Sequence, residues 1–119
     1  MKIVISASGE TLESSVDPRF GRAPKFIVYD TEDRSFEAVD NQQNLNLPQG
    51  AGIQAAGTVA RTGAQAVLTG HCGPKAYRTL SAANIVVYVN VQGTVSEAIA
   101  AYEAGSLQTA AGPDVEGHW

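Results

Sequence analysis

One cysteine among 119 residues excludes an intramolecular disulfide. That scarcity fits a reducing compartment, so the expected setting is the cytoplasm. The sequence has only two histidines, His71 and His118. A structural zinc site usually takes four Cys or His ligands, and an iron–sulfur cluster is commonly held by four thiolates. Neither fits a single subunit. Any metal–sulfur cluster here must bring its own sulfide or be shared between chains, held by charge, hydrogen bonds and shape. Basic residues are also few: eight Lys and Arg against twelve acids give a net charge of −4. General nucleic-acid binding, which displaces phosphate counterions with a basic surface, is excluded on that balance. No apolar run approaches the roughly 18–20 residues of a membrane span, and Met1–Ser6 is too short an apolar stretch for a secretory signal.

Catalytic signatures are missing as well. Neither HExxH nor GxSxG occurs. The first apolar run, Lys2 to Ser6, carries no acid, and Asp30 and Asp40 fall at opposite ends of an expected hairpin. A two-metal hydrolase needs its carboxylates clustered, so the pattern argues against one.

What is present reads as one α/β domain. Lys2–Ser6 is a buried strand. Ala7–Pro24 is a long connection with two glycines and two prolines, of a length often reserved for function. Lys25–Asp30 and Ser35–Asp40 flank a polar turn as an antiparallel hairpin, the second strand polar enough for a sheet edge. Asn41–Gly50 is a loop rich in Asn and Gln. Ala51–Arg61 repeats small and apolar residues at helical spacing through Ile53, Ala56, Val59 and Ala60, with Gly63 as its stop. Ala66–Thr69 is a strand. Pro74 opens a helix to Ala83 that buries Ala76, Tyr77 and Leu80. Ile85–Val89 is an apolar strand. Thr94-Val95-Ser96-Glu97 matches a capping box for a last helix, with Val95, Ala98, Ile99 and Tyr102 inward and Gly105 at its end. The fold class is therefore α/β: a single three-layer domain, residues 1–107, around a mixed five-stranded sheet, with residues 108–119 as a tail. Strands one, three, four and five share a direction. Ligands of open α/β sheets bind at the carboxyl ends of the strands. The loops at 7–24, 41–50, 70–73 and 90–93 open there.

Three segments can carry chemistry. In Asp17-Pro18-Arg19-Phe20-Gly21-Arg22, two arginines flank an aromatic residue and a glycine. Arg offers a fixed fork of donors for multi-oxygen or multi-sulfur anions, Phe20 an apolar cover, and Gly21 close backbone approach. A surface loop with one buried Phe and two solvated arginines is the other reading. In Gly70-His71-Cys72-Gly73-Pro74-Lys75, a tight loop precedes a helix whose free N–H groups attract anions. His71 is a borderline ligand and Cys72 a soft one. Equally, Cys72 suits a small buried position and His71 a strand end. Gly50-Ala51-Gly52-Ile53-Gln54-Ala55-Ala56-Gly57 lacks the lysine and hydroxyl of GxxxxGK[ST] and fails GxGxxG at position 55. It reads as a glycine-rich start of a helix, with Gly50 and Gly52 packed closely and amides able to face a shared site.

With these residues quoted, Val16–Phe26, Gly50–Ala56 and Thr69–Ala76 together resemble the dinitrogenase iron–molybdenum cofactor biosynthesis family, which includes NifX-type carriers and the C-terminal domain of NifB. The ending Gly112–Trp119 resembles the stand-alone members of anaerobes, the orange-protein group of sulfate reducers, which hold a mixed molybdenum–copper sulfide cluster. The resemblance implies a ribonuclease-H-like fold. It also implies carriage or storage of a cofactor without turnover, and matches Arg19, Phe20, Gly21, Arg22, Gly70, Gly73 and Lys75 to the family motifs. His71 and Cys72 stand at positions outside those motifs. Gln49 stands where carriers often place a histidine, which turns the reading from an iron–molybdenum–sulfur precursor toward a thiomolybdate-type cluster with copper. On that reading Arg19, Arg22 and Lys75 neutralise sulfides, and His71 or Cys72 contacts a soft metal. The reading from another class is a protein-interaction or regulatory module working with partner ATPases through its acidic surface and Val115–Trp119.

Overall fold

The computed structural model describes residues 1–42 and 50–110. Six strands and three helices follow in the order β1 (Lys2–Ala7), β2 (Lys25–Asp30), β3 (Phe36–Asp40), α1 (Ala51–Arg61), β4 (Ala66–Leu68), α2 (Pro74–Ala82), β5 (Val86–Val89), α3 (Val95–Glu103) and β6 (Gln108–Thr109). They make one mixed sheet in the order β3-β2-β1-β4-β5-β6. β1 runs antiparallel to β2 and parallel to β4, β4 runs parallel to β5, and β3 runs antiparallel to β2. Strands β1, β3, β4 and β5 therefore point the same way, as the hairpin and crossover pattern predicts.

Side-chain alternation across the pleat splits the core in two. Val4 lies opposite Val28 and Val67, and Val67 opposite Val87; this row packs under Ala55, Ala56 and Val59 of α1 and Ala76 and Leu80 of α2. Ile3, Ile5, Ile27 and Leu68 face the other way, onto Val95, Ala98 and Ile99 of α3. The result is three layers, two helices on one face and one on the other. None of these helices is long and apolar enough to cross a membrane.

The strand count is the main correction. Five strands were expected and six are present among the described residues, because β6 pairs antiparallel with Tyr88 and Val89. Two exposed polar residues, Gln108 and Thr109, carry no hydrophobic alternation, so nothing local announces them. They lie in the segment set apart as a tail, and Ala110 N–H extends the pairing to the Val87 carbonyl at 2.9 Å. The inward stripe of α1 also differs. It consists of Ala51, Ala55, Ala56 and Val59, while Ile53 is 42% exposed and Ala60 is exposed. At 3.6 residues per turn Ile53 projects away from the stripe that the alanines and Val59 define. Tyr77 and Tyr102 are half-buried rather than fully inward.

Two local rules hold as read. Thr94 Oγ1 accepts from Glu97 N–H at 3.1 Å while the Glu97 carboxylate accepts from Thr94 N–H at 2.9 Å, a reciprocal cap on α3. Gly63, two residues past the end of α1, adopts φ +81, the left-handed turn that glycine takes without strain. Removing the cap with Thr94→Ala should cost about 1 kcal/mol. Truncating Leu80, which is 0% exposed, should cost about 2–5 kcal/mol as Leu80→Ala. Urea denaturation of the two variants checks both values and their order.

Candidate functional site

The long connection after β1 is fastened before it becomes functional. Asp17 N–H donates to the Ser6 carbonyl at 2.9 Å, and the Ser6 hydroxyl donates to the Asp17 carbonyl at 2.7 Å. Ser6 and Thr69 hydroxyls, both fully buried, also share a hydrogen bond of 2.8 Å. Each hydroxyl has one proton, so with Ser6 donating to Asp17, Thr69 donates to Ser6. The Asp17 carboxylate accepts from Arg19 N–H at 2.9 Å and lies 3.6 Å from Arg19 Nε. It thereby holds the start of the arginine-bearing turn and one edge of the Arg19 guanidinium.

Next, two distant loops are stitched together. His71 N–H donates to the Pro18 carbonyl at 2.7 Å and Phe20 N–H to the His71 carbonyl at 3.2 Å, forming a parallel bridge between Arg19 and His71. Gly70 permits this approach: a Cβ there would sit 2.7 Å from Pro18 Cα and 2.8 Å from its carbonyl oxygen. Phe20–Arg22 then makes one 3-10 turn. Phe20 is buried against Phe26, with ring centroids 5.3 Å apart. On the other side of the turn, a Cβ on Gly21 would come within 2.9 Å of Gly52 Cα, and one on Gly52 within 3.2 Å of Ala76 Cβ. The turn, α1 and α2 therefore close on one another through glycine.

These contacts enclose a cleft of about 400 Å³. Arg19, Phe20, Gly21 and Arg22 line one side, Gly50 and Gly52 another, and His71, Gly73 and Lys75 a third. Arg22 and Gly73, which come from two separate loops, thus share one cavity. Gly70 and Cys72 are not among its walls. Gly70 works behind it, as the closest point between two loops. Cys72 is 1% exposed and packs into the core under α1 and α2, so its sulfur is turned away from any occupant of the cleft. The fourth expected loop is also elsewhere: Gly93 and Asn90 use their carbonyl and amide to brace Val16 and Gly70 from behind. Gln49, His118 and Val115–Trp119 lie outside the described residues.

Both helices that reach the cleft start there. α1 has Gly50 and α2 has Gly73 at the N-cap, and neither receives a side-chain cap. The first intrahelical bonds are Gln54 N–H to the Gly50 carbonyl and Tyr77 N–H to the Gly73 carbonyl. The amides of Ala51, Gly52, Ile53, Lys75 and Ala76 thus precede the intrahelical ladder, and all five residues line the cavity. Each helix end adds partial positive charge. Among the described residues no group of three or more His, Cys, Asp or Glu is placed to hold a bare metal ion.

Three wall residues were given no site role from sequence, Ala51, Ile53 and Pro74, while Ala76 entered only as an amide donor at the start of α2. Ile53 supplies an exposed apolar edge. Its signal was available as the one large apolar residue of α1 standing off the Ala55–Val59 stripe.

The sequence profile described as dinitrogenase iron-molybdenum cofactor matches residues 1–105. The apo form of the orange protein from Desulfovibrio gigas is 43% identical, superposes with a TM-score of 0.93, and is covered over 95% of each chain. A protein from Thermotoga assigned to NifB is 35% identical, with a TM-score of 0.80 over 91% of each chain. A protein of Methanocaldococcus jannaschii is 29% identical over 111 residues, 91% of this chain and 90% of that one. The fold, the order of the motif-bearing loops and these likenesses agree, and the chain belongs to the dinitrogenase iron–molybdenum cofactor family.

Proposed function

We propose that this protein binds and carries a preformed, anionic metal–sulfur cluster in the cleft, without turning it over. The observation that carries the reading is the convergence of Arg19, Arg22 and Lys75 with two glycine-capped helix N-termini on one cavity. In a chain of net charge −4, that concentration of positive charge selects an anion against the overall field. Among such anions the reading names a molybdenum–copper sulfide. An iron–molybdenum–sulfur precursor is the related alternative. Sulfide is large and weakly hydrated, so guanidinium forks and peptide amides suit it as donors. The His71 ring is the side chain on the cavity wall able to contact a soft metal such as copper; the buried Cys72 is set aside for that role.

The same reading keeps residues 1–107 as the cluster-binding unit, with β6 fastening the first residues of the 108–119 tail to its sheet. It takes the sheet as ribonuclease-H-like and places the protein in the cytoplasm.

Anaerobic addition of tetrathiomolybdate and copper(I) should give a visible charge-transfer band that stays with the protein through gel filtration. Arg19→Ala combined with Arg22→Ala should abolish retention while far-UV circular dichroism is unchanged; a double variant that stays fully coloured would refute the reading. Affinity should also fall as salt rises from low to physiological strength, because Arg19 and Lys75 are exposed and Arg22 partly so, and contacts of such cations are screened within about 10 Å. Finally, two glycines should separate fold from site. Gly73 has no atom within 4 Å of an added Cβ, so Gly73→Ala should cost about 1 kcal/mol or less in stability yet weaken binding by crowding the α2 amides. Gly70→Ala drives a Cβ into the Pro18 backbone and should cost about 1–3 kcal/mol. Chemical denaturation alongside cluster titration reads both.

A further inference from the structure

A fully buried polar side chain stands directly behind the arginine turn and has no part in the cluster contacts described above. Asn41, at the end of β3, is 0% exposed. Its Nδ2 donates to the Ala23 carbonyl at 2.7 Å and, over a longer 3.4 Å, to the Gly21 carbonyl. Its backbone N–H donates to the Pro24 carbonyl at 2.9 Å. The Gly21 and Ala23 carbonyls belong to the peptides on either side of the Arg22–Ala23 link. One amide group thus grips the chain on both sides of Arg22.

We infer that Asn41 is a positioning residue for Arg22, and that it sets cluster affinity through that arginine without touching the cluster. The inference rests on the cluster-binding reading and deepens it. Arg22 follows a glycine and closes a 3-10 turn of only three residues. Within the turn, Arg22 N–H donates to the Arg19 carbonyl at 3.2 Å. A turn this short, next to a glycine that adds backbone freedom, does not fix the direction of the Arg22 Cα–Cβ bond by itself. The carbonyls that Asn41 holds constrain it: one belongs to the Gly21–Arg22 peptide and the other to the Ala23–Pro24 peptide, so the Arg22–Ala23 stretch is tied at both ends. The pin is rigid at its other end: Asn41 follows Asp40, which pairs with Lys25 in the sheet. Arg22 is thereby aimed from the β2–β3 hairpin, while Arg19 is aimed from the β1 side by Asp17. An asparagine does this better than an aspartate, since a carboxylate facing two carbonyls offers no donor. Preorganising a long cationic side chain saves ordering cost when the anion arrives.

The test is a double-mutant cycle on the full chain, with tetrathiomolybdate plus copper(I) as probe, titrated anaerobically at fixed salt. Asn41→Ala should weaken binding roughly 3- to 30-fold in the otherwise unaltered protein, the range for losing a buried hydrogen-bond pair that couples to a neighbour. In an Arg22→Ala background the same change should have almost no further effect. A purely structural role predicts equal losses in both backgrounds, and that additive result overturns the inference while leaving the site intact. If Arg22→Ala alone leaves affinity unchanged, the cluster-binding reading fails and the inference with it. Asn41→Ser, which keeps a short donor and is milder on the fold, serves if Asn41→Ala does not fold. It should show the same non-additivity at smaller size, and additivity there is equally fatal. Asn41→Gln, one methylene longer, should not restore wild-type affinity.

Discussion

The close approach of Gly70 to Pro18 is the constraint on which the rest of the site depends. Two peptide groups on each side of it form the parallel bridge between Arg19 and His71, and the bridge exists because no Cβ intervenes. The connection after β1 is otherwise a long, glycine- and proline-rich loop that would wander over the surface. Stitched to the β4–α2 loop by a single bridge, it is held beside the start of α2. Arg19 and Arg22 are carried to the cleft by that geometry, not by any helix or sheet of their own. The buried Ser6–Thr69 pair then satisfies the polar groups that the stitching encloses.

Electrostatics and shape share the remaining task. Two helix N-termini left without side-chain caps contrast with α3, whose first turn is closed by Thr94 and Glu97. Uncapped amides at α1 and α2 would be a cost to stability if they faced nothing. Here both helices begin at a cavity that Arg19, Arg22 and Lys75 also line, and on the proposed reading these amides serve as donors to an anion. The apolar part of the wall, from Phe20, Ala51, Ile53 and Pro74, lowers the local dielectric and strengthens each of those contacts.

Much of this was legible in the sequence, and the parts that were not have physical causes. Apolar periodicity located β1, β2, β4, β5 and all three helices, and strand polarity placed β3 at the edge. The RFGR, GAGIQ and GHCGPK segments could be assigned to one end of the sheet by direction alone. β6 escaped because its two polar residues are recruited by the open edge of β5 rather than by their own propensity. Cys72 was ambiguous because sequence does not tell which side of a loop a residue turns to; its neighbour His71 faces the cleft while the thiol packs into the core. Ile53 was read inward because apolar residues usually are. Asn41 looked like the first residue of a polar loop, and only its burial reveals a pin.

The stitched loops have a consequence for how the protein matures. Phe20 meets His71 across more than a third of the chain, and the arginine turn meets its second wall only after β4 and the start of α2 exist. Non-local pairings of this kind close late, since the ends must first be brought together against chain entropy. A nascent chain that has released only its first hairpin therefore displays the arginines with nothing to fold them around. The cleft is therefore assembled only once the start of α2, about two-thirds of the way along these 119 residues, has been made.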